Sequence, residues 1–296
     1  MAAIATTSIP LIDPDQRELF AASQNRVPFL FRHNLCDVEQ FQPDYLRMIA
    51  QRFVDADTPM YCSPGRGRVD ARFDSPDEGG KHFTPAEALA KMAEEELLFK
   101  MPKISKLPEY QPFIDQSFNQ ILELCGLPTK GYELWRSISV FMAGPRRITP
   151  FHLDAELNFL CQVTGTKTIW VADGNDREIL TEQELESFWR GDGQSAKFKE
   201  VARERAWKFT LAPGVGIHIP INFPHWVENG EDVSMSVSLS FRPLKYRPGA
   251  VHRFNSYLRQ MHLRPTPPGR VAWLDAAKEQ TYSVAKATVW RLKGWA

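Results

Sequence analysis

His152 and Asp154 stand two residues apart in the segment ITPFHLDAELNF, residues 148–159. On an extended strand, residues i and i+2 share a face, so an imidazole nitrogen and a carboxylate oxygen converge on one point. A second histidine from a distant strand completes two imidazoles and one carboxylate on one side of an ion. The opposite positions stay open, the arrangement by which ferrous ion takes up a cosubstrate and dioxygen. The stretch GVGIHIPINFPHWVEN, residues 214–229, offers His218 and His225 as that ligand. Seven residues apart, they face opposite ways on a continuous strand, and Pro220 and Pro224 deny them one. His225 follows the Ile219-Pro220 turn and opens a new strand, whereas His218 sits within an apolar run, as a packed histidine does. His225 is the favoured third ligand and His218 the alternative.

An HxD pair alone is a weak signal. Lys167 adds to it, because it opens the buried run KTIWVA fifteen residues after His152. An ammonium taken into a core needs an anion. Lys167 either reaches out to the rim of the fold or pairs with the distal carboxylate of a dicarboxylate cosubstrate. Thr149 precedes His152 by three, which on a regular strand turns it to the other face. Pro150 is placed to kink the chain and bring the Thr149 hydroxyl to the same carboxylate.

The elements that must hold these residues are strands. From Leu134 to Phe241 short apolar or alternating runs follow one another between turn residues: LWRSISVFMA, FLCQV, KTIWVA, WKFTLA, GIHIPI and SMSVSLSF. In the last, Met235, Val237, Leu239 and Phe241 face one way and four serines the other, as in a half-buried strand with a polar wall. A charged, partly helical insert at 173–206 interrupts the series. Many short strands with turns between them predict a sandwich or barrel. Before it, Val27–Arg32 reads as a buried strand, and helices are expected over 44–54, over 85–99 behind the N-cap Thr84, and over 113–125 ahead of Gly126. Residues 63–81 read as a polar loop, either a solvated surface or a flap over the site. Helical spacing returns at about 250–262 and 271–292. These divisions give an N-terminal mixed region at 1–130, a β core at 131–247 and a C-terminal helical extension at 248–296.

Lys plus Arg and Asp plus Glu number 36 each. With no net charge, bulk attraction to nucleic acid or anionic membrane is not expected. Four scattered cysteines (36, 62, 125 and 161) form no CxxC pair. That speaks against a zinc knuckle or disulfide framework and fits a reducing compartment. The N-terminus does not read as a signal peptide, and no run has the roughly 18 apolar residues of a membrane span. The expected location is the cytoplasm.

At these residues the sequence resembles the JmjC and cupin-like Fe(II)/2-oxoglutarate oxygenases, and among them the asparaginyl hydroxylase acting on hypoxia-inducible factor. The shared pattern is Thr149-Pro150-x-His152-x-Asp154, then Asn158-Phe159, Gly165-x-Lys167 and Ile219-Pro220-x4-His225. The resemblance implies a mainly β fold, a double-stranded β-helix (jelly-roll) core with flanking N- and C-terminal α-helices. It implies Fe(II) on His152, Asp154 and His225, and 2-oxoglutarate held by Lys167 and Thr149 with Asn158 close by. Two positions depart from it. Ser240 stands where the hydroxylase has an asparagine, and so offers a shorter side chain to the cosubstrate contact the resemblance implies there. Glu156 stands where the hydroxylase meets its peptide with an amide, which favours a different substrate group.

The implied activity is hydroxylation of a protein or peptide side chain. Small-molecule hydroxylation and N-methyl demethylation are the alternatives within the family. A cupin-like binding protein without catalysis is the alternative outside it. Phe159 and Trp170 are candidates for a dry wall beside the metal, or for ordinary core. The C-terminal helices, with Trp273, Leu274, Val284, Val289, Trp290 and Leu292, pack either on the protein's own core or as a homodimer interface, as related hydroxylases use theirs.

Overall fold

The computed structural model of the protein describes residues 10–58, 60–72, 83–129 and 134–292, with side chains up to residue 288. In chain order its N-terminal elements are α1 (Arg17–Ser23), β1 (Phe29–Arg32), α2 (Pro43–Asp55), β2 (Tyr61–Ser63), α3 (Pro85–Ala90), β3 (Leu98–Met101) and α4 (Gln111–Leu124). Next come β4 (Leu134–Ala143), β5 (Ile148–His152), β6 (Leu157–Thr164), β7 (Lys167–Val171), α5 (Glu182–Arg190) and α6 (Glu200–Arg205). The chain continues through β8 (Trp207–Leu211), β9 (Val215–Ile219), β10 (His225–Asn229), β11 (Ser234–Pro243), α7 (Arg247–Gln260) and α8 (Ala272–Leu292).

Among the described residues these strands form two antiparallel sheets. The larger runs β1-β9-β6-β11-β4-β3-β2 and the smaller β5-β10-β7-β8. They face one another around a cavity, which makes the core a jelly-roll with helices flanking it, as the sequence implied. Three strands of the larger sheet lie before residue 131, so the N-terminal region extends the sheet as well as packing on it.

Alternation decides which side of each strand meets the cavity. The outer face of the larger sheet carries Ile138, Val140, Met142, Phe159, Met235, Val237, Leu239 and Phe241. These pack with Leu46 and Ile49 of α2 and Phe113, Phe118 and Ile121 of α4 in one apolar cluster. A second cluster sits behind the smaller sheet, where Phe151, Leu153 and Trp226 meet Ile179, Leu185 and Ala202 of the 173–206 insert.

Two expectations are corrected. β11 is not a half-buried strand: on its serine face Ser234, Ser236 and Ser238 are fully or almost fully buried. β11 lies in mid-sheet between β4 and β6, and its serines look into the interior, where Gln162 and Asn158 satisfy them. The helix expected over 85–99 ends at Ala90, although its start is as expected, with Thr84 and Glu87 closing a capping box. Leu98–Met101 is a strand, because Leu98, Phe99 and Met101 are buried between β2 and β4 and their ladder outweighs local helix preference.

Residues 66–69 of the predicted loop run beside the free edge of β5. The Ile148 N–H donates to Arg66 O at 2.6 Å and the Phe151 N–H to Val69 O at 2.9 Å. The flap reading covers 63–81, of which 73–81 lie outside the described residues. Of the C-terminal apolar residues, Trp273 and Val284 are well exposed. Val289, Trp290 and Leu292 lie beyond the described side chains. Among the described residues no helix is long and apolar enough to cross a membrane.

Candidate metal centre and cavity

β5 and β10 are neighbours in the smaller sheet, with His152 directly opposite His225. Their rings are 4.1 Å apart between centroids. Asp154 follows β5, and its Oδ2 lies 3.8 Å from His225 Nε2. One potential ligand atom from each of His152, Asp154 and His225 falls within 4.8 Å of the others. Each histidine has its Nδ1 against a backbone carbonyl, His152 with Pro150 O at 2.8 Å and His225 with Phe223 O at 3.0 Å. Such bonds place the proton on Nδ1 and leave Nε2 with its lone pair free, the usual state of a metal-binding imidazole. Burial and the neighbouring His225 hold the His152 pKa well below the ordinary imidazole value. Burial acts to raise the Asp154 pKa, but His225, His152, Lys100 and the Asn158 amide outweigh it and keep the carboxylate ionised. A divalent ion requires ligand nitrogens with free lone pairs and an ionised carboxylate.

The turn that delivers His225 is tied to the other ligand strand. Asn222 adopts φ +66°, a left-handed conformation that asparagine tolerates, and its N–H donates to Asp154 O at 3.2 Å. Its Oδ1 accepts from Trp189 Nε1 at 3.0 Å. Asn158 holds the Asp154 side chain, donating through Nδ2 to Oδ2 at 3.3 Å. Its own Oδ1 accepts from Ser238, which is 2.9 Å from Ser240. The serines of β11 thus orient the carboxylate through one amide.

The triad lines a cavity of about 200 Å³. Thr149, Asn158, Lys167, Ser240 and Glu156 line it too, so every site residue expected from the sequence is brought together. Thr149 shares a face with His152 despite the odd spacing. Between His225 and Val227 the register spans two residues on β10 but three, from His152 to Thr149, on β5. The extra residue is a β-bulge at Pro150-Phe151, which lets residues three apart point the same way. Lys167 is buried, and among the described residues no carboxylate pairs with it. Burial alone pulls its pKa down to about 7. Glu156 is pushed up to about 7, by burial first and then by Asp154, against the pull of Arg242 3.6 Å away.

His218 is not at the site. It stacks on Phe159 at 4.4 Å, its Nε2 accepts from the Asn25 N–H at 2.9 Å, and burial lowers its pKa to about 3. Phe159 and Trp170 also point away, Phe159 into the outer cluster and Trp170 onto Trp226 in a parallel stack at 5.3 Å. The dry wall is instead Phe141, Leu160, Ile219 and Val227.

Sequence reasoning missed Asn229, Lys100, Trp135, Ser137 and Ser139, which line the same space. Asn229 stands opposite Lys167 in the ladder, and its buried Oδ1 has no hydrogen-bond partner. The period-two signal that found the β11 serines exposes Trp135, Ser137 and Ser139 on β4. Lys100 carries the same signal as Lys167, a lone cation inside an apolar run.

The fold and the site together define a cupin-like jelly-roll with a two-histidine, one-carboxylate centre. The chain belongs to the cupin-like domain family, whose model matches residues 24–245. No curated protein sequence matches it. Among solved structures it is similar to the Escherichia coli ribosomal oxygenase YcfD, with 17% identity over 92% of this chain and 65% of that one, at a TM-score of 0.49. A second structure of the same protein gives 16% identity over 93% and 67%, at a TM-score of 0.48. A third, in complex with cobalt and 2-oxoglutarate, gives 17% over 92% and 65%, at 0.47. The chain spans 65% of the length of the first of these structures.

Proposed function

We propose that the protein is an Fe(II)- and 2-oxoglutarate-dependent oxygenase that hydroxylates a side chain of a protein or peptide. The observation that carries this reading is one cavity holding both the triad and a buried lysine that has no carboxylate partner among the described residues. The donor set suits ferrous iron, with two nitrogens, one oxygen and open positions on the cavity side. Lys167 suits a dicarboxylate, because an anion restores the charged form that burial disfavours. Ferrous iron with 2-oxoglutarate supplies the chemistry by which one atom of dioxygen enters a C–H bond and the other leaves in succinate, with carbon dioxide released.

The chain's own residues do the rest. His152, Asp154 and His225 hold the metal on one side. Pro150 O and Phe223 O fix the two rings, and Asn158 fixes the carboxylate. Lys167 and Thr149 anchor the distal carboxylate of the cosubstrate and so orient its other end toward the triad. Phe141, Leu160, Ile219 and Val227 keep water from the reacting atoms. Ser240 lines the cavity and is linked through Ser238 to Asn158.

Incubation of purified protein with iron, 2-oxoglutarate and oxygen is expected to release succinate. A peptide pool should gain one oxygen per turnover, read by mass spectrometry. Succinate release with a free metabolite instead favours the small-molecule reading, and loss of a methyl group favours demethylation. Absence of succinate with every pool favours a binding protein.

A further inference from the structure

Two lysines line the cavity, and the reading above uses one. Lys100, on β3, stands between Tyr61 and Phe141 in the ladder. It is half-buried, with Nζ over the Phe141 ring at 4.8 Å from the centroid. Among the described residues no carboxylate pairs with it. An aromatic face offsets only part of what an ammonium loses on leaving water.

The two lysines act on different parts of the cavity. The Lys100 charge is felt at His152, Asp154 and Glu156. Burial alone acts on Lys167. Lys100 enters the cavity from β3 of the larger sheet and Lys167 from β7 of the smaller, so the two lysines come from facing sheets and one dicarboxylate anchor leaves the other free. A cation beside ligands meant for a divalent cation is repelled by the ion they hold. An anion between the two removes that penalty. Of the carboxylates that line the cavity, Asp154 belongs to the triad and Glu156 is paired with Arg242 at 3.6 Å. The anion that Lys100 lacks must then come with the substrate. Trp135 and Phe141 add aromatic walls to the same space.

We infer that Lys100 anchors a carboxylate of the substrate, which is therefore an acid: a free carboxylic acid or an aspartate or glutamate side chain of a peptide. This rests on the oxygenase reading for the statement that the space beside the triad is the substrate's.

Equilibrium dialysis tests it without turnover. Full-length protein loaded with Mn(II), with and without 2-oxoglutarate, is dialysed against two probe sets, and retained species are identified by mass spectrometry. One set holds aliphatic and aromatic monocarboxylic acids with their primary amides. The other holds terminally capped tripeptides with a central Asp or Glu, and their Asn or Gln counterparts. Wild type should retain acids at least tenfold over the matched amides. Lys100→Met should abolish that preference, and Lys100→Arg should keep most of it. Retention of free acids or of capped peptides tells which source the carboxylate comes from. Equal retention of acids and amides, retention of neither, or an unchanged preference in a folded Lys100→Met overturns the inference. Failure of 2-oxoglutarate itself to be retained by metal-loaded wild type defeats the oxygenase reading instead. The dialysis without it still reads Lys100.

Discussion

Lys167 is where the site's chemistry is most exposed to measurement. Its ammonium is buried with no carboxylate partner among the described residues, and burial lowers its pKa to about 7. A bound dicarboxylate favours the charged form, so cosubstrate and proton bind together. Lys167→Met should weaken 2-oxoglutarate binding by about thirtyfold or more, since losing one partner of a buried charge pair costs about 2–5 kcal/mol. In wild type the apparent Kd should climb as pH rises above about 7, because the free protein then loses the proton that binding needs. Equilibrium dialysis with labelled 2-oxoglutarate at pH 6 to 9 reads both effects. A flat profile, or a Kd in the variant within twofold of wild type, would contradict the role given to Lys167. The residue types at this site were legible in the sequence because each is anomalous where it stands. A lysine opening a buried strand and a histidine after a proline turn both ask for a partner. Phe159 and Trp170 were not legible in this way, since an aromatic in a strand buried on both faces carries no sign of which side it takes.

At the scale of elements, β5 shows why spacing alone misleads. Thr149 and His152 share a face because a bulge inserts one residue, and only pairing with β10 reveals it. The β3 strand was hidden for a related reason. Its residues follow a stretch of Ala, Glu and Leu that favours helix, and the decision is made by β2 and β4, distant in sequence. The serines of β11 were read correctly as one polar face, but the strand is buried on both sides and not half-buried, because alternation gives the period of a strand and not what covers it. The packing of the helix-to-strand connection onto β4 can be tested at Gly144. A Cβ there would lie 1.9 Å from Glu95 O and 2.9 Å from Met92 O, both backbone atoms that cannot swing away. Gly144→Ala should therefore lower stability by about 2–4 kcal/mol, at the upper end of what overpacking costs. Chemical denaturation measures it, and a loss under 0.5 kcal/mol (the usual range for a surface change) would mean that the connection does not pack there.

Over the whole molecule, three histidines among the described residues and outside the proposed metal centre are buried neutral. Burial sets His33 at about 4, His218 at about 3 and His252 at about 3. Each is held below the unfolded value of 6.5, so below that pH the unfolded chain takes up protons that the folded one refuses. Their contribution to stability is complete above pH 6.5 and is lost as pH falls toward 4, by up to about 1.4 kcal/mol per unit for each histidine. The urea midpoint should fall steadily from pH 6.5 to 4.5, and His218→Gln should reduce that slope. A midpoint constant over this range would show that these rings are not sealed.

The proposed ion site lies at β5 and β10 and the proposed anion site at β7, and the account stands on their holding iron and 2-oxoglutarate at once. Anaerobic titration of Fe(II) into the protein with 2-oxoglutarate reads that directly as a weak visible charge-transfer band. The account predicts a band that saturates at one iron per chain in wild type and is absent in His152→Ala. No band in wild type, or the same band in His152→Ala, would contradict it.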